Sequence, residues 1–380
     1  MDMREQMVAR SIGDRRCDRA VGCLMGLAIG DAIGSPLEFL PAVDNSTPGM
    51  PSFNRTTMAY FRPLNEFELE PGQWTDDTAM ALCLADSLII HRAFDGSDFR
   101  ARLWSWCFRG YNNAFRLDPS RHQSVGLGQN VAKSLYALEP GQPPPPRYES
   151  TAEDAGNGSI IRLGPVPIFY HNEPLVAARV GAESSLTTHP GAVASEACAF
   201  LAWLLASAIN ERRSTLETRP FLDDLAKQYL DLLGDRRDSG AQAMRALLAS
   251  DQPDDSLERN WNWRATTLDI EGTLRRRGGE YNGYPVSADY FGSYCMDGLA
   301  IALHSVYHST SFEEAIERCV NFLGDADSTA AVAGQVAGSF YGFTSVDPRM
   351  VELVRRWDEG EIAFRAVLLF ELGEAVKTGR

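Results

Sequence analysis

A chain of 380 residues, 44% hydrophobic and 23% charged, has the make-up of a globular protein large enough for one big domain or two ordinary ones. A formal charge of −15 and a pI near 4.9 argue against general affinity for nucleic acid or anionic membrane, so an anionic ligand would need locally supplied cations. No apolar run approaches the ~20 residues of a membrane-spanning helix, the first twenty residues are too charged for an export leader, and the seven scattered cysteines show no C-x-x-C spacing; the expectation is a cytoplasmic protein with buried, reduced thiols and no zinc cluster.

In chain order, residues 1–18 are mixed in charge and read as an N-terminal extension, leaving 19–380 for the rest. The segment Gly30-Asp31-Ala32-Ile33-Gly34 leads to Glu38. Pro71-Gly72 is followed by Thr75-Asp76-Asp77-Thr78, which opens an amphipathic helix from Asp77 to Phe94 carrying Met80, Leu84, Leu88 and Ile89 on one face. Residues 139–147, with Pro143 to Pro146 in succession, must be loop-like. Asp154-Ala155-Gly156-Asn157-Gly158-Ser159 then precedes an apolar run, and Thr187-Thr188-His189-Pro190 precedes a helix over 190–211. Further helices are expected at 218–234, 297–308, 329–341 and 361–376, and Ser311 with Glu314 forms a capping box. The polar segment 251–289, which carries Trp261 and Trp263, reads either as ordinary loop or as a carrier of partner specificity. No set of alternating strands emerges, so the fold class is all-α.

Near the far end, Gly324-Asp325-Ala326-Asp327-Ser328-Thr329 repeats the pattern of the first acidic turn: two carboxylates and a hydroxyl at a helix start. Either turn alone is what the helix dipole favours at an N-terminus. Together they form a hard oxygen set, without cysteine or histidine, that suits Mg²⁺ or Mn²⁺ and can hold two ions if the turns meet. Because the two halves of that site lie at opposite ends of the sequence, the segment at 139–147 is expected to be a loop within a single domain. The stripe Ala330, Gly334, Ala337 and Gly338 would let its helix approach another closely. Glycines beside Asn157 and Ser159 suit a pyrophosphate, because bare backbone can approach phosphate oxygens. The D-D-x-x-D pattern of prenyl diphosphate enzymes is broken at Met80.

With G-D-A-I-G and Glu38, W-T-D-D-T at 74–78, G-N-G-S at 156–159, T-T-H at 187–189 and G-D-A-D-S-T at 324–329, all in order, the chain resembles the ADP-ribosylglycohydrolases, in particular the bacterial branch typified by dinitrogenase reductase activating glycohydrolase. The resemblance implies a compact multi-helix fold around a central binuclear Mg²⁺ or Mn²⁺ site. Carried onto this chain, the metal ligands are Thr75, Asp76, Asp77, Asp325, Asp327 and Ser328. It also implies ADP-ribose contacts at Asp154, Asn157, Gly158, Ser159 and His189, at Gly126 and Gly128 in V-G-L-G-Q, and at Tyr294, whose aromatic lies along the ribose side of the cleft. Glu38, Asp76 and Asp154 are the candidates for proton transfer. The partner implied is an ADP-ribosylated protein, and the expected reaction is release of ADP-ribose from arginine. The competing readings are hydrolysis of serine-linked or polymeric ADP-ribose, and a relative that binds without turnover.

Overall fold

Two helices rich in small residues, drawn from opposite ends of the sequence, form the centre of the fold. The computed structural model describes residues 3–44, 52–115, 118, 120–139, 141–150, 155–213, 217–253, 259, 261–277, 280–281, 284–285 and 290–377. Its helices, in order, are α1 (Met3–Ser11), α2 (Arg15–Gly34), α3 (Asp76–His91), α4 (Gly96–Arg109), α5 (Gln129–Tyr136), α6 (Pro165–Phe169), α7 (Pro174–Ser185) and α8 (Ala192–Asn210). They continue with α9 (Thr218–Leu233), α10 (Ser239–Ala249), α11 (Ile270–Arg276), α12 (Cys295–Tyr307), α13 (Phe312–Val320), α14 (Ala326–Tyr341), α15 (Pro348–Asp358) and α16 (Glu361–Lys377). Strand structure among the described residues is limited to two antiparallel hairpins, Phe53–Asn54 with Ala59–Tyr60 and Glu280–Tyr281 with Tyr284–Pro285. The protein is mostly helical, as the periodicity predicts.

Helices α2 and α14 make the most extensive helix contact. A Cβ at Gly26 would lie 2.1 Å from the Gly334 carbonyl oxygen, and one at Gly334 would lie 1.9 Å from the Gly26 oxygen. Gly22 and Gly338 oppose each other in the same way, at 2.3 and 1.9 Å. With no side chain between them, the two backbones meet directly, and the stripe expected on α14 has its complement on α2. The register of this contact sets Asp31, near the end of α2, beside the start of α14.

Helices α2 and α8 are long and apolar enough in composition to cross a membrane, contrary to the reading that no apolar run is so long; their apolar windows are 94% and 83% buried, because both are central core helices. Buried apolar residues from Cys17 to Phe370 form one contiguous cluster. All seven cysteines are free and buried, as expected.

Local signals end the helices where the chemistry dictates. Ser311 accepts from the Glu314 N–H, while the Glu314 carboxylate reaches back to the Thr310 N–H. Arg92 closes α3 in a left-handed conformation at φ 54°, three residues short of the expected end. The proline-rich segment is anchored to the core: buried Arg100 donates to the carbonyls of Pro145 and Arg147. Trp261 and Trp263, read as loop residues, are buried, and their indole N–H groups donate to Asp297 and to the Leu247 carbonyl. At the N-terminus, α1 packs on α16 through the Arg4–Glu361 pair and reaches α15 through Glu5–Arg355. The boundary drawn after Asp18 falls inside α2, whose N-cap is Asp14.

Candidate active site

The acidic turn at 75–78 is held from outside its own helix. Thr75 stands at the N-cap of α3 but makes no side-chain capping bond. Asp31 supplies one instead: its carboxylate accepts from the Thr75 N–H (2.9 Å) and hydroxyl (2.9 Å) and from the Thr78 N–H (3.0 Å) and hydroxyl (2.7 Å). The glycine-mediated contact of α2 with α14 then brings the second turn onto the first. Thr75 Oγ1 lies 3.2 Å from Asp327 Oδ2 and 3.1 Å from Asp77 Oδ2, across 252 positions of sequence in the former case.

Three carboxylate oxygens thus surround one hydroxyl, which has one proton to give. Donated to Asp31, that proton leaves the lone pairs of Thr75 facing Asp77 and Asp327. Oxygens of Asp31, Asp77 and Asp327 lie within 4.8 Å of one another, and so do oxygens of Glu38, Asp325 and Asp327. Asp327 belongs to both groups. Asp76, at the start of α3, is buried beside them, and Ser328 follows Asp327 on α14.

Nothing in this cluster balances its charge from within. Burial first, and then the neighbouring carboxylates, raises Asp76, Asp77, Asp327 and Glu38 well above the ordinary carboxylate range. Asp31 and Asp325 are raised by burial too, opposed by the hydrogen bonds they accept. Asp77 Oδ1 and Glu38 Oε2 are buried with no hydrogen-bond partner. Orphaned oxygens, like charges and an all-oxygen donor set fit divalent cations of the Mg²⁺ or Mn²⁺ kind.

A cavity of about 470 Å³ opens above the acids. Its wall includes Glu38, Asp76, Asp325 and Ser328, along with Gly126, Gly128, Asn157, Gly158, His189 and Tyr294. Thr75, Asp77 and Asp327 lie beneath, out of the wall. Gly126, at φ +83°, could not carry a side chain, because its Cβ would come within 2.4 Å of Asp76 Oδ1. The short turn Asn157–Ser159 is tied to the second acidic turn by Asn157 Nδ2, which donates to Asp325 at 2.8 Å, and by the Asn157 N–H, which donates to the Ser293 carbonyl at 2.8 Å.

His189 presents a neutral ring. Thr188 Oγ1 accepts from Arg162 (2.7 Å) and lies 2.7 Å from His189 Nδ1; in the tautomer in which Thr188 donates to Nδ1, Nε2 keeps the ring hydrogen. Burial and then the Arg162 charge push the imidazole down to about 3. Nε2 lies against Gly158, where it can donate to an anionic oxygen.

Of the substrate contacts expected from the sequence, Ser159 is not in this wall. Ser159 is buried behind the turn, where its hydroxyl accepts from Ser185 at 3.0 Å. Asp154 lies outside the described residues. Three groups were missed. Asp31 was visible in the G-D-A-I-G segment but carried no second acid to mark it. Tyr290, whose hydroxyl donates to Glu38 Oε1 at 3.1 Å, has no sequence signal. Nor does the buried ion pair of Arg277 and Asp297 (2.6 Å) in the cavity wall; Trp261, which also donates to Asp297, stacks on Tyr294 at 6.4 Å and 22°.

The chain matches the family model described as ADP-ribosylglycohydrolase over residues 13–375. It is 31% identical over 346 residues to ADP-ribosylarginine hydrolase Tri1 of Pseudomonas putida strain GB-1, covering 90% of this chain and 75% of that protein. It is 25% identical over 330 residues to the ADP-ribosyl-(dinitrogen reductase) glycohydrolase of Rhodospirillum rubrum, covering 87% of each. A solved structure of an ADP-ribosylglycohydrolase-related protein complex aligns with a TM-score of 0.62 at 26% identity, covering 94% of this chain and 99% of that one.

Proposed function

Since the chain belongs to the ADP-ribosylglycohydrolase family, we propose that it is a divalent-metal-dependent hydrolase that removes mono-ADP-ribose from modified arginine side chains of protein substrates. The observation that carries this reading is the pair of carboxylate groups sharing Asp327 beneath a cavity lined by hydrogen-bond donors. The arginine linkage draws support from the similarity to Tri1, an ADP-ribosylarginine hydrolase, and from the −15 charge of the chain, which favours a cationic peptide segment.

In this reading Thr75, Asp76, Asp77, Asp325, Asp327 and Ser328 hold two Mg²⁺ or Mn²⁺ ions, and Asp31 orients the Thr75 hydroxyl. The ions, when bound, neutralise the carboxylates and polarise oxygens of the distal ribose. The diphosphate lies along the Asn157–Gly158 turn, where the Gly158 N–H and His189 Nε2–H meet its oxygens. Asn157, held by Asp325, links that turn to the acids. Glu38 handles the proton. Its Oε2 has no hydrogen-bond partner and its Oε1 is held by Tyr290, while burial and the neighbouring Asp327 and Asp325 raise its affinity for protons well above the ordinary carboxylate range. As the C–N bond breaks and the C–O bond forms at the anomeric carbon, it takes the proton of the attacking water, and the departing guanidine nitrogen regains a proton, giving ADP-ribose and arginine. Asp76, crowded by Asp327 and Asp31, serves better as a ligand than as the base.

The linkage is tested by incubating arginine-modified, serine-modified and polymeric substrates with Mg²⁺- or Mn²⁺-supplied protein. Release of ADP-ribose from arginine is expected; selective release from serine or polymer would overturn the assignment.

A further inference from the structure

Phe39 follows the proposed proton-transfer residue directly and sits in a conformation that its own packing does not explain. Its φ of 66° is in the left-handed region, which a bulky L-residue adopts at a cost. The strain is imposed by two backbone bonds to the second acidic turn. The Phe39 N–H donates to the Gly324 carbonyl (3.0 Å), and the Gly324 N–H donates to the Leu40 carbonyl (2.9 Å).

A strained backbone commonly serves to bury a side chain, but Phe39 remains 44% exposed. One face stacks on Tyr290, at 5.4 Å between centroids and 20° between planes, and Phe67 meets it edge-on at 5.7 Å and 67°. Tyr290 in turn lines the cavity with Glu38. The aromatic ladder therefore runs outward from the acids to solvent. Glu66 and Glu68, both exposed, flank Phe67 on the same segment. A partly exposed π-surface stacked on Tyr290 of the cavity wall, with the exposed Glu66 and Glu68 on the segment that meets its edge, has the chemistry that binds a planar delocalised cation.

We propose that Phe39, stacked on Tyr290, is a guanidinium-binding subsite that holds the leaving group and selects arginine-linked substrates. The inference rests on the arginine reading above and deepens it by naming the residues that recognise the linkage. A neutral leaving group such as a serine hydroxyl gains nothing from this surface.

The test compares wild type with Phe39→Gly and Phe39→Trp on an ADP-ribosylarginine peptide, with inhibition by ADP-ribose as the control. Gly adopts the left-handed φ without strain, which offsets part of the ring packing lost, so Phe39→Gly should remain folded, as its melting curve will show. It should raise KM for the arginine-linked peptide about tenfold with kcat little changed, because an aromatic–cation contact of ordinary strength is lost. The inhibition constant of ADP-ribose, which carries no guanidinium, should stay the same, and Phe39→Trp should retain the wild-type KM. An unchanged KM in Phe39→Gly, or a parallel loss of ADP-ribose affinity, would overturn the subsite while leaving arginine hydrolysis standing. A wild-type protein that releases nothing from the arginine-linked peptide would overturn the linkage reading and the subsite with it.

Discussion

The hydroxyl of Tyr290 donates to Oε1 of Glu38 at 3.1 Å, while Oε2 of the same carboxylate is buried with no partner. One oxygen is thus fixed and the other, packed toward Asp327, faces no hydrogen-bond donor. In the account given above, Glu38→Gln removes proton transfer and lowers kcat by about 10²–10⁴. Tyr290→Phe keeps the ring stack and should cost less, about tenfold in kcat with KM unchanged, since the loss of one orienting hydrogen bond to a charged group is worth about 1.5–3 kcal/mol at most. Steady-state release of ADP-ribose by both variants checks this; full activity in Glu38→Gln would remove Glu38 from the mechanism.

Gly334→Ala should be strongly destabilising although alanine is the better helix former. In an exposed helix the change would gain about 1 kcal/mol. Here the new methyl meets the Gly26 carbonyl oxygen at 1.9 Å, so α2 and α14 must part, at a cost of about 3 kcal/mol or more. Denaturant titration measures it, and a neutral or stabilised variant would contradict the close contact on which the site geometry depends.

Asp297→Asn should destabilise the fold by about 3–5 kcal/mol, because it strands the buried Arg277 charge. It also loosens Trp261, which packs behind Tyr294 in the cavity wall. The combined expectation is a lower melting temperature and weaker ADP-ribose binding, read by calorimetry and titration. Asp297→Asn with wild-type stability would show that the pair is solvated.

The acid cluster also predicts a pH-dependent response to cations. Carboxylates whose affinity for protons is raised by folding contribute stability near and below their unfolded values, and that contribution is lost as pH rises. His189 and His304, both pushed down to about 3, act in the opposite sense: their contribution is present above the unfolded value near 6.5 and is lost as pH falls. Comparing melting temperature with and without Mn²⁺ at each pH isolates the cluster, since the histidines act equally in both samples. Protons compete with the cation for the same oxygens, so the Mn²⁺-induced shift should be larger at pH 8 than at pH 6. Equal shifts would place the ion elsewhere.

Much of this site was legible in the sequence because short acidic turns at helix starts are local features. The turns at 75–78 and 325–328 could be read one at a time, and only their convergence needed the fold. The small-residue stripe on α14 announced a close partner but not which one; the answer lay in Gly22 and Gly26 on α2, whose meaning depends on register between helices far apart in sequence. Asp31 was passed over because it acts alone, capping a helix other than its own. Tyr290, Arg277 and Asp297 reach the cavity from three separate segments, and no spacing rule connects such residues. Trp261 and Trp263 were read as loop residues because their neighbours are polar, yet burial followed from partners for their indole N–H groups that only tertiary structure supplies.

In the proposed mechanism the carboxylates meeting at Asp327 act through divalent cations. Release of ADP-ribose from arginine-modified protein is to be measured on one preparation as purified, after exhaustive chelation, and after return of Mg²⁺ or Mn²⁺, with Asp327→Asn alongside. Loss of release on chelation, recovery on return of the cation, and no recovery in a folded Asp327→Asn are expected; full release from chelated protein would contradict the account.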